Sequence, residues 1–293
     1  MHKRTKHKSV HYAKFVWILL LLLSVGLCGC TEQKKDPQDT GKQDSGLSQE
    51  VSDAPESAIA QQIRARGYLL AGCKTDVPGL SIYDEQTDTW TGLEIELAYQ
   101  TAAELFGVSI DEAKQQGLVK FVGVTVADRE EKLEQKEVDC LFATYTMTQE
   151  RRQKFAFSES YYTDYIGMMV KAPKTDDNSL GTSGIRSIAD LDGKKIGVAK
   201  NATTRKMFLD YMETMNNVKT APVFLEYKSY SALFSALKDG SIDVMAVDVS
   251  ILNGYVDHTT QILNDRFGGQ RYGAAVRSED KALLTYINAA ILQ

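Results

Sequence analysis

The chain has 293 residues, 43% of them hydrophobic and 25% charged, with a formal net charge of −5. That length and balance read as globular, one long domain or two short ones. The acidic excess is spread along the chain and argues against a nucleic-acid partner, which requires a basic surplus to meet phosphates.

Residues 1–14, MHKRTKHKSVHYAK, form a basic segment ahead of the apolar run Phe15–Leu27. The run is shorter than the about 20 residues needed to cross a roughly 30 Å hydrocarbon core. It suits the apolar part of a secretory signal, oriented by the positive charge before it. It ends in Leu27-Cys28-Gly29-Cys30, which resembles the lipobox of bacterial lipoproteins, although Cys28 stands where Ala or Ser is more usual. The resemblance implies a signal peptide over 1–29, cleaved before Cys30, and lipid attachment at the Cys30 thiol. The plainer alternative is an ordinary secretory signal with two incidental cysteines. Residues 30–57 are rich in Gln, Asp, Ser, Lys and Gly and too poor in apolar residues to offset ordering, so a flexible tether is expected. Beyond residue 30 only Cys73 and Cys140 remain, at opposite ends of strand-like runs, and two buried free thiols are expected rather than a disulfide.

From Ala58 onward the chain alternates apolar runs with helical patterns. YLLAG (68–72), GLVKFVGV and VDCLFAT read as strands; GLEIELAYQTAAELFG (92–107) and ADREEKLEQ read as helices, the first with Leu93, Leu97, Ala98 and Leu105 on its apolar face. KKIGVAK, PVFLEY and IDVMAVD repeat the strand pattern further on, separated by TTRKMFLDYMETM and SYSALFSALKDG as helices. Such alternation gives right-handed crossovers and mostly parallel sheets. LEQKEVDCLFA and LKDGSIDVMAV echo one another, with Leu133–Val138–Asp139 spaced as Leu237–Ile242–Asp243. The echo suggests two similar lobes. YYTDYIGMMVK and QRYGAAVRS are two candidate crossing strands, which places lobe 1 at 58–167, lobe 2 at 168–271, and a return to lobe 1 over 272–293. Ligands of open α/β sheets bind outside the carboxyl ends of the strands, so the cleft between the lobes is the expected site.

Chemistry gathers at those strand ends. Lys74 follows the first strand, Arg129 opens the helix after the second, and Thr144, Thr146 and Arg151 follow the third. In the second lobe Thr203 and Thr204 open a helix and Asp248 ends a buried strand. The planar fork of Arg151 fits a carboxylate, as do hydroxyls and free amides at a helix start. An ionised Asp248 suits an ammonium group. The two clamps together describe an α-amino acid, with Lys74 and Arg129 left for a second carboxylate. Each residue also has a plain structural role: Arg151 on a solvated turn, Thr203 as an N-cap, Asp248 capping the next helix, Arg129 paired with Glu130 or Glu131. Their joint placement favours the ligand reading.

Over roughly Arg66 to the end, KTDVPG, YDEQTDTWTGLEIELA, EVDCLFATYTMTQERRQKFAFSESYY and SIADLDGKKIGVAKNATT occur in the order seen in the solute-binding proteins of bacterial polar amino-acid ABC transporters. The chain resembles that family, whose fold is the two-lobed α/β type II periplasmic-binding-protein fold. The resemblance implies that Thr144, Thr146, Arg151, Thr203 and Thr204 take the ligand α-carboxylate and that Asp248 takes the amine. CKTDVPG and the arginine of VADRE look like the aspartate/glutamate branch, which implies a side-chain carboxylate on Lys74 and Arg129. Val77 stands where many members carry an aromatic, a departure that weakens a histidine- or arginine-binding reading. The chain stops at INAAILQ, where members usually continue through another helix, so a truncated C-terminal helix is expected.

The implied function is capture of glutamate or aspartate and delivery to a membrane-embedded ABC permease, by a monomer lipid-anchored on the extracytoplasmic face. No cofactor, metal or nucleic acid is expected. The alternatives are another polar amino acid such as glutamine, a dehydratase-like enzyme, or a ligand sensor on the same fold. An enzyme would need a general acid or base at the strand ends, and none is free there; His258, the only histidine after residue 30, reads as a surface residue.

Overall fold

The computed structural model describes residues 57–172, 184–215 and 222–293. The signal peptide, Cys30 and the tether up to residue 56 lie outside those residues. The elements of the first lobe are α1 (Ala58–Arg66), β1 (Leu69–Lys74), β2 (Asp76–Val77), β3 (Ser81–Asp84), β4 (Thr89–Thr91), α2 (Leu93–Phe106), α3 (Ile110–Gln115), β5 (Val119–Val124), α4 (Arg129–Glu134), β6 (Cys140–Phe142) and α5 (Gln149–Lys154). The long strand β7 (Phe155–Lys171) leads out of it. The second lobe holds β8 (Lys195–Ala199), α6 (Thr204–Thr214), β9 (Val223–Tyr227), α7 (Tyr230–Asp239), β10 (Val244–Asp248), α8 (Val249–Tyr255) and β11 (Thr260–Ile262). Strand β12 (Phe267–Arg277) returns, and α9 (Leu284–Ile291) packs against α2 in the first lobe.

One sheet runs through both lobes, in the order β5-β1-β6-β12-β7-β10-β8-β9, with β11 beside β7. The outer triplets β5-β1-β6 and β10-β8-β9 are parallel, as strand–helix–strand crossovers require. Between them β7 and β12 pair antiparallel and carry the chain from lobe to lobe. The two lobes, each with a mostly parallel sheet, are joined by two crossing strands as expected, and because these strands pair with both triplets the sheets are continuous. A small sheet, β2-β3-β4, is an addition that its short and mixed-polarity strands did not announce.

The internal echo has a physical cause. The Asp139 amide donates to the Leu70 carbonyl and its carboxylate accepts from the Leu70 amide, both at 2.8 Å. Asp243 does the same with Lys195 at 2.8 Å each way. In each lobe, therefore, an aspartate fastens the entry of one parallel strand to its neighbour. Asp139→Ala and Asp243→Ala are each expected to cost about 1–3 kcal/mol, because a strand-edge amide loses its charged acceptor; urea unfolding midpoints would measure it, and no change at either site would refute the shared role.

Helix α2 is turned from the expected face. Leu93 is exposed, and the buried stripe is Glu94, Ala98, Thr101, Ala102 and Leu105, with Ile95 beside it. Cys73 and Cys140 are free and buried, and in register they sit opposite Phe142 and Ala71 rather than each other.

Candidate functional site

The carboxyl ends of both parallel triplets meet at one small closed space. Arg129, Thr144, Thr146 and Arg151 bound it from the first lobe. Ala202, Thr203, Thr204, Tyr230, Val247 and Asp248 bound it from the second. The lobes fit so closely that this space is about 10 Å³, room for about one water. Entry of an amino acid therefore requires the lobes to part. Parting breaks the bonds Arg151 Nη2 to the Asn201 carbonyl (2.9 Å), Asn201 Nδ2 to the Ala127 carbonyl (3.0 Å) and the Tyr230 amide to Asp76 Oδ2 (3.0 Å).

Thr148 caps α5 by accepting from the Arg151 amide at 3.1 Å, which aims the Arg151 side chain inward, while its neighbour Arg152 stays exposed. Arg151 is buried, donates to the Thr146 carbonyl at 2.9 Å and lies 4.3 Å over the Tyr145 ring. Burial and the nearby Arg129 push its guanidinium down to about 10, still charged at neutral pH. Arg129 lies over the same ring at 4.4 Å, so one aromatic face system holds both cations close. It pairs with neither Glu130 nor Glu131; its Nη1 donates to the Ala143 carbonyl at 2.7 Å and its Nε has no partner.

Thr203 is the N-cap of α6 yet makes no capping bond; its hydroxyl donates to Gln270 Oε1 at 2.9 Å. The Thr146 hydroxyl donates to the same oxygen at 2.5 Å, so Gln270 of β12 links a threonine from each lobe. Asp248 likewise leaves α8 uncapped, and its carboxylate accepts from the Tyr272 hydroxyl. Burial above all, with Asp164 nearby, raises its carboxyl to about 7.

Lys74 departs from its expected place. It has no exposure and does not bound the space; its ammonium pairs with Asp76 at 2.8 Å and lies 4.5 Å over the Tyr230 ring. Burial lowers its affinity for a proton and Asp76 restores part of it. Sequence reasoning also missed Gln270, Tyr272, Asp164 and Tyr230, all on elements read only as strand or helix. Thr144 at φ 46° and Asn201 at φ 62° have left-handed backbone, and both lie at the cleft. For a β-branched threonine that conformation is strained, and strain of this kind gathers at binding sites.

A two-lobed fold with a charged cleft at the strand ends admits many solutes, and relatives narrow them. The family model described as bacterial extracellular solute-binding proteins, family 3, matches residues 69–293. The chain belongs to this family. It is a solute-binding protein of the amino-acid transporter kind with the type II periplasmic-binding-protein fold, not an enzyme. The glutamine-binding protein of Geobacillus stearothermophilus is 28% identical over 282 residues, 94% of this chain and 96% of the relative. The ABC transporter glutamine-binding protein of Bacillus subtilis is 28% identical, over 84% of this chain and 83% of its own. Among solved structures, an arginine-bound Gly52Ala mutant of the arginine-binding protein of T. maritima matches with a TM-score of 0.63 at 25% identity, covering 80% of this chain and 98% of that one.

Proposed function

We propose that this family 3 protein binds an uncharged polar amino acid, glutamine first, and delivers it to an ABC permease from a lipid anchor at Cys30. The observation that carries the reading is the engagement of Lys74 with Asp76. A cation already paired and set back from the ligand space has little to offer a side-chain carboxylate, and Arg129 gives its Nη1 to the Ala143 carbonyl. The acidic-ligand expectation loses Lys74 as an anchor, while Arg129 still bounds the space with its Nε unpartnered. The α-amino acid clamp keeps its parts: Arg151 with Thr144, Thr146, Thr203 and Thr204 for the carboxylate, Asp248 for the ammonium. Two glutamine-binding relatives agree with an uncharged side chain.

Closure follows from a ligand that touches both lobes and so favours the closed state. The test is calorimetric titration of the full chain, freed of bound ligand by unfolding and refolding, with glutamine, glutamate, aspartate, arginine and histidine. Glutamine is expected to bind most tightly; preference for glutamate or arginine would overturn the reading. Arg151→Ala is expected to weaken binding of whichever amino acid wins at least hundredfold, about 3 kcal/mol. Arg151→Lys recovers little of it, because an ammonium cannot reproduce the fork. An undiminished affinity in Arg151→Ala would place the carboxylate elsewhere.

A further inference from the structure

The small sheet of the first lobe carries a segment that the ligand clamp does not use. Strand β2 (Asp76–Val77) pairs with β3 of its own lobe, yet it and the Pro78 that follows make their contacts with the second lobe. Val77 and Leu80 are buried, and both sit in one hydrophobic cluster with Tyr230, Leu233, Ile251 and Leu252 of the second lobe. Asp76 accepts from Lys74 through Oδ1 at 2.8 Å, while its Oδ2 accepts from the Tyr230 amide at the start of α7 at 3.0 Å. The Asp76 carbonyl accepts from the Tyr255 hydroxyl at 2.7 Å. The Pro78 ring lies so close to Gly254 of α8 that a Cβ on that glycine would stand 2.8 Å from Pro78 Cδ, 3.0 Å from Cγ and 3.1 Å from Cβ. Asp76, Val77, Pro78, Gly254 and Tyr255 all stand outside the lining of the ligand space, and Tyr230 belongs to both groups.

We propose that Asp76–Pro78 is a closure latch, a set of positioning residues that sets affinity by stabilising the closed arrangement of the lobes rather than by touching the amino acid. A ligand that binds the closed form has an apparent affinity scaled by the fraction of molecules that are closed. Contacts made only on closure raise that fraction. They therefore strengthen every ligand by the same factor and leave the choice between ligands alone. Lys74 acquires a role in this arrangement, because its ammonium holds the Asp76 carboxylate in place for the Tyr230 amide. Gly254 is what allows the proline ring to seat, since any side chain there would overlap it. The inference rests on the reading that an amino acid is held between the lobes, whichever amino acid it is.

Gly254→Ala and Tyr255→Phe test the latch in calorimetric titrations of the full chain with glutamine, glutamate, aspartate, arginine and histidine. Gly254→Ala sets a methyl group against a ring tied into the backbone. It is expected to lower the affinity for every amino acid that the wild type binds at least tenfold, by the same factor for each. Alanine favours a helix over glycine, so the melting temperature of the ligand-free variant is expected not to fall, whereas a purely structural fault would lower it. Pro78→Ala removes Cγ and Cδ; combined with Gly254→Ala it is expected to restore most of the lost affinity, a coupling that residues in contact show. Tyr255→Phe deletes one hydrogen bond, and a loss of about threefold to tenfold is expected. Unchanged affinity in Gly254→Ala, or a loss that Pro78→Ala does not relieve, overturns the latch. A loss that differs between ligands assigns these residues to specificity and overturns it too. Should Gly254→Ala fail to fold, undiminished affinity in Tyr255→Phe overturns the proposal. A wild type that binds none of the five amino acids defeats the capture reading and the latch with it. A wild type that binds, with affinities unmoved by the variants, defeats the latch alone.

Discussion

Asp248→Asn is expected to abolish amino-acid binding while raising the melting temperature of the ligand-free protein at pH 8. The buried carboxyl of Asp248 titrates at about 7 against a reference of 3.8. A group whose folded value is raised contributes fully below the unfolded value, and that contribution is lost as pH rises through the folded one. The window here is about pH 4 to 7, and three pH units correspond to about 4 kcal/mol of stability forgone at pH 8. Asparagine is neutral at every pH and still accepts from Tyr272, so it escapes that loss. It also loses the charge that an ammonium needs, and a deficit of more than hundredfold in affinity is expected. Thermal melts of wild type and variant at pH 5 and pH 8 would check the first half: the gap between them should widen from the lower pH to the higher. Equal melting temperatures at pH 8 would mean that the carboxylate is better solvated than its burial suggests. For the wild type, the same titration predicts weaker ligand binding as pH falls from 8 to 6, since a protonated Asp248 cannot pair with the ligand ammonium.

Gly92→Ala is the substitution expected to damage the fold most. Gly92 precedes α2 with φ at 123°, a backbone that side chains rarely adopt. A Cβ there would lie 2.3 Å from the Leu80 carbonyl oxygen, and a backbone atom cannot swing aside as a side-chain tip can. The same carbonyl accepts from the Glu94 amide at 2.9 Å, so the clash also displaces the start of α2. A loss of about 3 kcal/mol or more follows from a strained φ combined with backbone overlap. Denaturant unfolding would read it as a lowered midpoint at unchanged slope. A loss below about 1 kcal/mol would show that the turn relaxes freely.

Much of the fold was legible because each lobe is built from apolar strands alternating with amphipathic helices, a pattern that survives in any one segment. The Leu133 and Leu237 echoes were legible for a stronger reason, since Asp139 and Asp243 perform the same strand-fastening bond. Glu94 was within reach of the same reasoning. It lies four, seven, eight and eleven residues before Ala98, Thr101, Ala102 and Leu105, and an acid on a buried stripe is a signal in itself. Choosing Leu93 and Leu97 as the apolar face hid it. Lys74 was correctly placed at a strand end, but Asp76 lies close enough along the chain to claim it, and sequence position does not say which anion a lysine will choose. The left-handed Thr144 left no trace in the sequence, because no glycine marks it. Gln270 and Tyr272 were visible only as polar interruptions in a crossing strand, and their partners come from other elements.

The shared sheet has a mechanical consequence. Lobes joined by loops would open like a door, with the connection carrying no load. Here β7 and β12 belong to one hydrogen-bonded ribbon, and rotation of one lobe must twist that ribbon. The ribbon is not uniform: its register slips between Phe267 and Gly269, between Tyr272 and Gly273, and again between Gly273 and Ala275. Bulges of this kind interrupt the ladder and accept extra twist, so they are the compliant points of the torsion spring. Gln270 and Tyr272, which bind Thr146, Thr203 and Asp248, lie within the segment those slips define. The groups that meet across the closed cleft are thus mounted on the stretch of ribbon that must twist when the lobes part.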